Sequence, residues 1–278
     1  MSKSSLLAHL QQVARERNPD FHQGGHFYVR EYIRQELGIF GNVQEHLFQI
    51  NQRKSCNLIL DICSEPDLRN KPPILIGAHY DGVINSVGAD DNGTGVAVLL
   101  EMAKYFSEHG AKSPIRLVAF DLEEYGCLGS QAYAQELKEL NLPLRLMFSL
   151  EMLGYCDRSP NSQSYPTPLQ YLYPSVGDFI ALIGNNKALF DLIRIHRSLK
   201  KYVKCQWLPA GKRGALVPDT RRSDHGPFWD YGYKAIMVTD TANLRNPHYH
   251  QPTDTIETID LDFLTNVYQG LVNTISKL

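Results

Sequence analysis

Long apolar runs are missing from this sequence: no stretch approaches the roughly 18 uninterrupted apolar residues of a membrane-crossing helix. Charge of one sign is missing too. The 278 residues carry 28 Lys and Arg against 30 Asp and Glu, a formal charge of −2. Without a basic stripe there is no surface to track a phosphate backbone, so neither nucleic acid nor membrane is expected as a partner. Cysteine is scarce. Five residues without CxxC spacing indicate neither a disulfide framework nor a thiolate zinc site. Internal repeats and low-complexity linkers are absent. The opening MSKSSLLAHLQQVARERNPD breaks its short apolar patch with His and Gln and does not read as a signal peptide. The expectation is a soluble, cytoplasmic protein.

What is present is alternation. NLILDI from Asn57, PILIGAHYD from Pro73, IRLVAFDLEE from Ile115, LRLMFSLEML from Leu144, DFIALIGN from Asp178, YVKCQWL and YKAIMVTD have the length and apolar density of strands. Helical patterns follow at Gly95 to Gly110, Ser130 to Leu140, Lys187 to Lys200, and from about Asp260 to the end. Strands alternating with helices predict an α/β fold: one domain over 1–278, with a central mixed, mostly parallel sheet covered by helices on both faces. The Ser-, Pro- and Tyr-rich stretch from Asp157 to Pro174 reads as a surface loop between strands, not as a boundary.

In open α/β sheets, ligands gather beyond the carboxyl ends of the strands. Here those ends carry His79 and Asp81, then Asp121, Glu123 and Glu124, then Glu151, then Asp240, with His248 and His250 soon after. Singly, each has an ordinary explanation. His79 can be a hydrogen-bonded strand-end histidine, Asp90 and Asp91 helix caps, Glu123-Glu124 a solvated pair, and Asp224-His225 an internal hydrogen-bonded pair. Together, half-buried charges at successive strand ends need a common partner, and a divalent cation is the simplest one. Oxygen and nitrogen donors without sulfur suit zinc, with Mn2+ and Co2+ as alternatives. Residues two apart on a strand face the same way, so Asp81 is placed to hold the second imidazole nitrogen of His79. The Gly-rich GADDNGTG has two negative charges and no Lys, which excludes a phosphate cradle. It nearly matches a calcium loop, but a strand rather than an amphipathic helix precedes it.

HYDG, GADDNGTG, DLEEYGCLGS, SLEMLGY, SDHGPF and YHQPTDT occur in the order seen in the co-catalytic di-zinc exopeptidases, so the chain from about Leu75 to Thr255 resembles that family. Bacterial leucyl-type aminopeptidases belong to it, with glutaminyl cyclases and glutamate carboxypeptidase as more distant relatives. The resemblance implies two zinc ions. His79 and Glu151 would bind one, Glu124 and His250 the other, and Asp91 would bridge them. It also implies Glu123 as general base, Asp81 as the carboxylate behind His79, and Tyr249 as a hydroxyl for the oxyanion. Glu151 departs from the Asp often found at its position, which affects metal geometry. The implied activity is an aminopeptidase acting on peptides with a free N-terminus. The alternatives are a carboxypeptidase or dipeptidase using Arg222 or Arg245, a glutaminyl cyclase, and a binding module that has lost catalysis. The specificity pocket is expected to draw on the loop between Tyr155 and Asp178 and on segments around Phe228 and Trp229.

Overall fold

The computed structural model describes residues 3–50, 52–63 and 66–278. Eight strands form one sheet: β1 (Val43–Ile50), β2 (Arg53–Ile62), β3 (Ile74–His79), β4 (Ile115–Phe120), β5 (Leu146–Glu151), β6 (Ile180–Gly184), β7 (Cys205–Pro209) and β8 (Ala235–Thr239), in the order β1-β2-β4-β3-β5-β8-β6-β7. β4, β3, β5 and β8 run parallel at the centre. β2 is antiparallel to β4, β1 to β2, and β6 to β8, while β7 is parallel to β6. The sheet is therefore mixed around a parallel core. β3 and β5 are buried along their whole length, which is why they read as near-continuous apolar runs.

Helices cover both faces. α1 (Lys3–Val13), α2 (Gln23–Gly38), α3 (Gly95–His109), α5 (Leu189–Leu199) and α7 (Leu261–Ile275) pack with Ile74, Ile76, Leu117 and Phe148 on one face. α4 (Leu128–Glu139) and α6 (His225–Asp230) pack with Leu75, Val118 and Met147 on the other. α3 stops where Gly110 takes φ 68°, and Asp260 caps α7 by accepting from the Asp262 and Phe263 amides. Among the described residues, no helix is long and apolar enough to cross a membrane.

Four elements go beyond the sequence reading: α1, α2, β1 and α6. α2 buries only Val29, Ile33 and Leu37, one residue per turn, behind a first turn containing two glycines. β1 is an edge strand with no fully buried residue. The topology sets the site. From β3 the chain crosses to β4 on one side, and from β4 it returns to β5 on the other. The end of β3, at His79, is thus a point where connections diverge and a crevice opens.

Candidate metal centre

His79 ends β3 fully buried, with Nδ1 3.4 Å from Asp81 Oδ1. The Asp81 carboxylate also accepts the Glu123 amide at 3.0 Å and the Glu124 amide at 3.2 Å, joining the turn after β3 to the turn after β4. Asp91 sits in the turn that leads into α3. Its Oδ1 lies 3.3 Å from His79 Nε2 and its Oδ2 3.1 Å from His250 Nε2, so one carboxylate stands between two imidazoles. Glu124 Oε2 is 3.2 Å from His250 Nε2. On the far side, Glu151 Oε1 and Glu123 Oε2 lie 3.7 Å and 3.9 Å from His79 Nε2. Tyr249 stacks on the His250 ring at 3.8 Å and receives a hydrogen bond from Arg222 Nη2 at 3.3 Å.

The eight residues to which the resemblance assigns a metal or catalytic role therefore stand in one crevice. Among the described residues, two groups have ligand atoms mutually within 4.8 Å: His79, Glu123 and Glu151, and His79, Asp91 and Glu124. These atoms are close without satisfying one another. Both ring nitrogens of His79, Oδ2 of Asp91 and Oε1 of Glu124 are buried and have no hydrogen-bond partner. Buried polar atoms are nearly always paired, so donors that converge on shared points instead suit a cation. The charge balance agrees. Burial pushes the Glu124 carboxyl up to about 7, helped by the Asp91 charge, and raises Glu123 well above the usual carboxylate range, helped by Glu151 and Glu124. Burial opposes protonation of His250, yet Asp91 and Glu124 hold its imidazole at about 10. A carboxylate cluster that recruits protons in this way is short of positive charge. The donors are oxygen and nitrogen, so the set fits zinc.

The supporting contacts were not visible in the sequence. Asp254 accepts the Asp90 and Asp91 amides at 2.9 and 3.0 Å. Asn92 reaches Leu150 O at 2.7 Å and accepts the Met152 amide, tying the Asp91 turn to the end of β5. Ser223 donates to Glu151 Oε2 at 2.6 Å, leaving Oε1 toward His79. Other strand-end candidates have structural work. Asp90 accepts from Gly154 and Asn246, Asp240 from Tyr155 and Ala242, Asp121 meets His26, and His248 meets Thr253. Asp224 and His225 do not form a pair. His225 Nε2 bonds Thr220 O, and neither Asp224 oxygen has a hydrogen-bond partner.

A cavity of about 120 Å³ opens beside Glu151 and Tyr249, walled by Tyr165, Tyr173, Phe179, Ile183, Trp207 and Met237. The loop after Tyr155 contributes as expected. Of the segments expected around Phe228 and Trp229, these two side chains themselves do not line it: both are buried in the core, because the six-residue α6 turns them onto the sheet.

The Peptidase family M28 model matches residues 57–275, so the chain belongs to this family of co-catalytic zinc exopeptidases. It is 36% identical over 215 residues to the uncharacterized protein YfbL of Escherichia coli K12, covering 72% of this chain and 65% of that one. It is 29% identical over 214 residues to aminopeptidase YwaD of Bacillus subtilis, covering 74% and 41%. The matched chain thus spans less than two thirds of either relative. The fold is shared with the Legionella LapA structure (TM-score 0.75, 18% identity, 99% of this chain and 74% of that one). It is also shared with a glutaminyl cyclase of Tannerella forsythia (TM-score 0.70, 22% identity, 100% and 99%).

Proposed function

We infer that this chain is a zinc-dependent aminopeptidase that hydrolyses the first peptide bond of peptides with a free N-terminus. The observation that carries the reading is Asp91, whose two oxygens face His79 at 3.3 Å and His250 at 3.1 Å. His79 and Glu151 would hold one zinc, Glu124 and His250 a second, and Asp91 both. Zinc bound there would polarise the scissile carbonyl and lower the pKa of water to near neutrality.

The side chains perform the rest. Glu123, packed against His79 and Glu151, takes the proton of the attacking water as its oxygen bonds to the carbonyl carbon. It then passes that proton to the nitrogen as the C–N bond breaks. Glu124 is engaged by His250, which leaves Glu123 the freer of the pair. Burial and the charges of Asp91 and Glu124 hold the Tyr249 phenol protonated well above its ordinary range, so its hydroxyl is a donor for the developing oxyanion. The carboxylate-rich crevice favours a cationic α-amine, and the adjoining apolar cavity receives the first side chain, which favours large apolar residues.

The alternatives fare less well on particular contacts. Arg245 is buried and bonds Gln163 and Tyr155, so it is not available to a substrate carboxylate. Arg222, at the cavity edge, keeps the carboxypeptidase reading open to experiment. A cyclase would need one metal where the five ligands proposed here would hold two, and the fold, which it shares with aminopeptidases, does not choose between them. An inactive binding module should have lost part of this set.

The deciding experiment measures zinc per chain and release from aminoacyl-anilides, with and without N-acetylation, before and after chelation. The reading expects about two zinc per chain and chelator-sensitive release that N-acetylation abolishes. About one zinc without release would favour cyclase chemistry, and cleavage of an N-acetylated peptide with a free C-terminal carboxylate would favour the carboxypeptidase.

A further inference from the structure

Arg17 lies outside the span that matches the family, in the connection between α1 and α2, and it is completely buried. Its guanidinium is driven into the backbone of the turn that carries Asp91. Nη2 donates to Gly88 O at 2.9 Å and to Asp91 O at 3.0 Å, and Nη1 donates to Val87 O. Nη1 also reaches back to Val13 O at 3.1 Å and Arg15 O at 3.3 Å, which anchors the fork to the end of α1. On the opposite edge Asp254 holds the Asp90 and Asp91 amides. The backbone of Asp91 is thereby gripped at its carbonyl by the Arg17 guanidinium and at its N–H by the Asp254 carboxyl.

The fit leaves no slack. Gly88 takes φ 55°, and a Cβ there would lie 2.2 Å from Asp91 O and 2.8 Å from Arg17 Nη2. Neighbours of Arg17 bind the same region: Asn18 Nδ2 donates to Gly82 O at 3.0 Å, and Asp20 receives the Tyr125 hydroxyl at 2.7 Å, next to Glu124. Burial disfavours the charged guanidinium, and the fields of Asp91, Asp254, Asp81 and Glu124 offset only part of that. Among the described residues no carboxylate pairs with it directly, and the bonds from its two terminal nitrogens go to main-chain carbonyls.

We propose that Arg17 is a positioning residue for the metal centre: by clamping the 87–91 backbone it fixes the Asp91 carboxylate between His79 and His250 before any cation binds. This rests on the zinc-peptidase reading for its purpose, but not for its detection. The test pairs hydrogen exchange over residues 87–94 with zinc affinity from chelator competition, on wild type, Arg17→Gln and Arg17→Lys. Zinc-free wild type should keep 87–94 protected. Arg17→Gln should expose that segment while the β5 amides stay protected, and its zinc affinity should fall by about 10–100-fold. Arg17→Lys keeps the charge but not the fork, so it should recover only part of that loss.

Two results overturn the proposal. One is variants with a lowered Tm but unchanged zinc affinity and 87–94 exchange, which is a structural role alone. The other is wild type whose 87–94 segment exchanges freely once zinc is removed, and this reading stands even where neither variant folds. If wild type binds no zinc, the peptidase reading falls, and hydrogen exchange still decides whether Arg17 clamps the turn.

Discussion

Burial and neighbouring carboxylates raise the Glu123 carboxyl above its ordinary range, and in the proposed reaction that added basicity helps it accept a proton from water before handing it to the amine. Glu123→Gln preserves shape and removes the proton acceptor. It should lower kcat by about 10²–10⁴-fold with zinc content unchanged, as read by steady-state kinetics beside metal analysis. His225 makes a second prediction at this scale. Burial drops its imidazole to about 4, against an ordinary 6.5. The native state keeps it neutral while the unfolded chain takes a proton below pH 6.5. Its contribution is therefore full above pH 6.5, lost as pH falls toward 4, and level below that. The loss is on the order of 3 kcal/mol over the window. Urea melts of wild type and His225→Gln between pH 7 and 4 should show wild type losing that much more stability; parallel profiles would remove His225 as the cause. Residue chemistry was largely legible in the sequence at the strand ends, because a polar side chain after an apolar strand stands out. Arg17, Ser223 and Asp254 were not, because an arginine in a polar turn or a serine in a loop looks the same whether buried or exposed.

At the scale of elements, the strands of the parallel core pack closely against one another. Gly77 in β3 has Phe120 of β4 against it: a Cβ would lie 2.3 Å from the ring Cε2. Gly77→Ala should destabilise by about 1–3 kcal/mol through overpacking, measured as a shift in denaturant midpoint with unchanged m-value. The central strands and α3 were legible because burial on two faces, or along a wide helical stripe, writes a dense apolar pattern. β1 and α2 escaped for the opposite reason. An edge strand and a helix that buries one residue per turn keep mostly polar sequences, and only their docking decides their conformation.

At the scale of the whole molecule, the cavity beside Glu151 is assembled from segments far apart in sequence: the loop at Tyr165–Tyr173, strands β6, β7 and β8, and Tyr249. Ala181 of β6 lines it, so Ala181→Leu should narrow it. KM for leucine-anilide should rise by about 10-fold or more, and that for alanine-anilide much less. Equal effects on both substrates would mean that the first side chain binds elsewhere. Zinc removal belongs here as well, since the ion would join four strand ends. A ligand bound only by the native state stabilises by about 4 kcal/mol at a thousand times its Kd, so chelation should lower Tm and zinc add-back should restore it.

The amino-acid sequence by itself determined the α/β class, the central strands and the motifs that mark the family, because strand burial and strand-end polarity are local patterns. Only the tertiary structure decided which carboxylates meet the imidazoles and which brace loops. It also decided that Phe228 and Trp229 are core and that Arg17 reaches the Asp91 turn. Those outcomes depend on distances between residues remote in the chain, and such distances exist only once the sheet has closed the separate strand ends into one crevice.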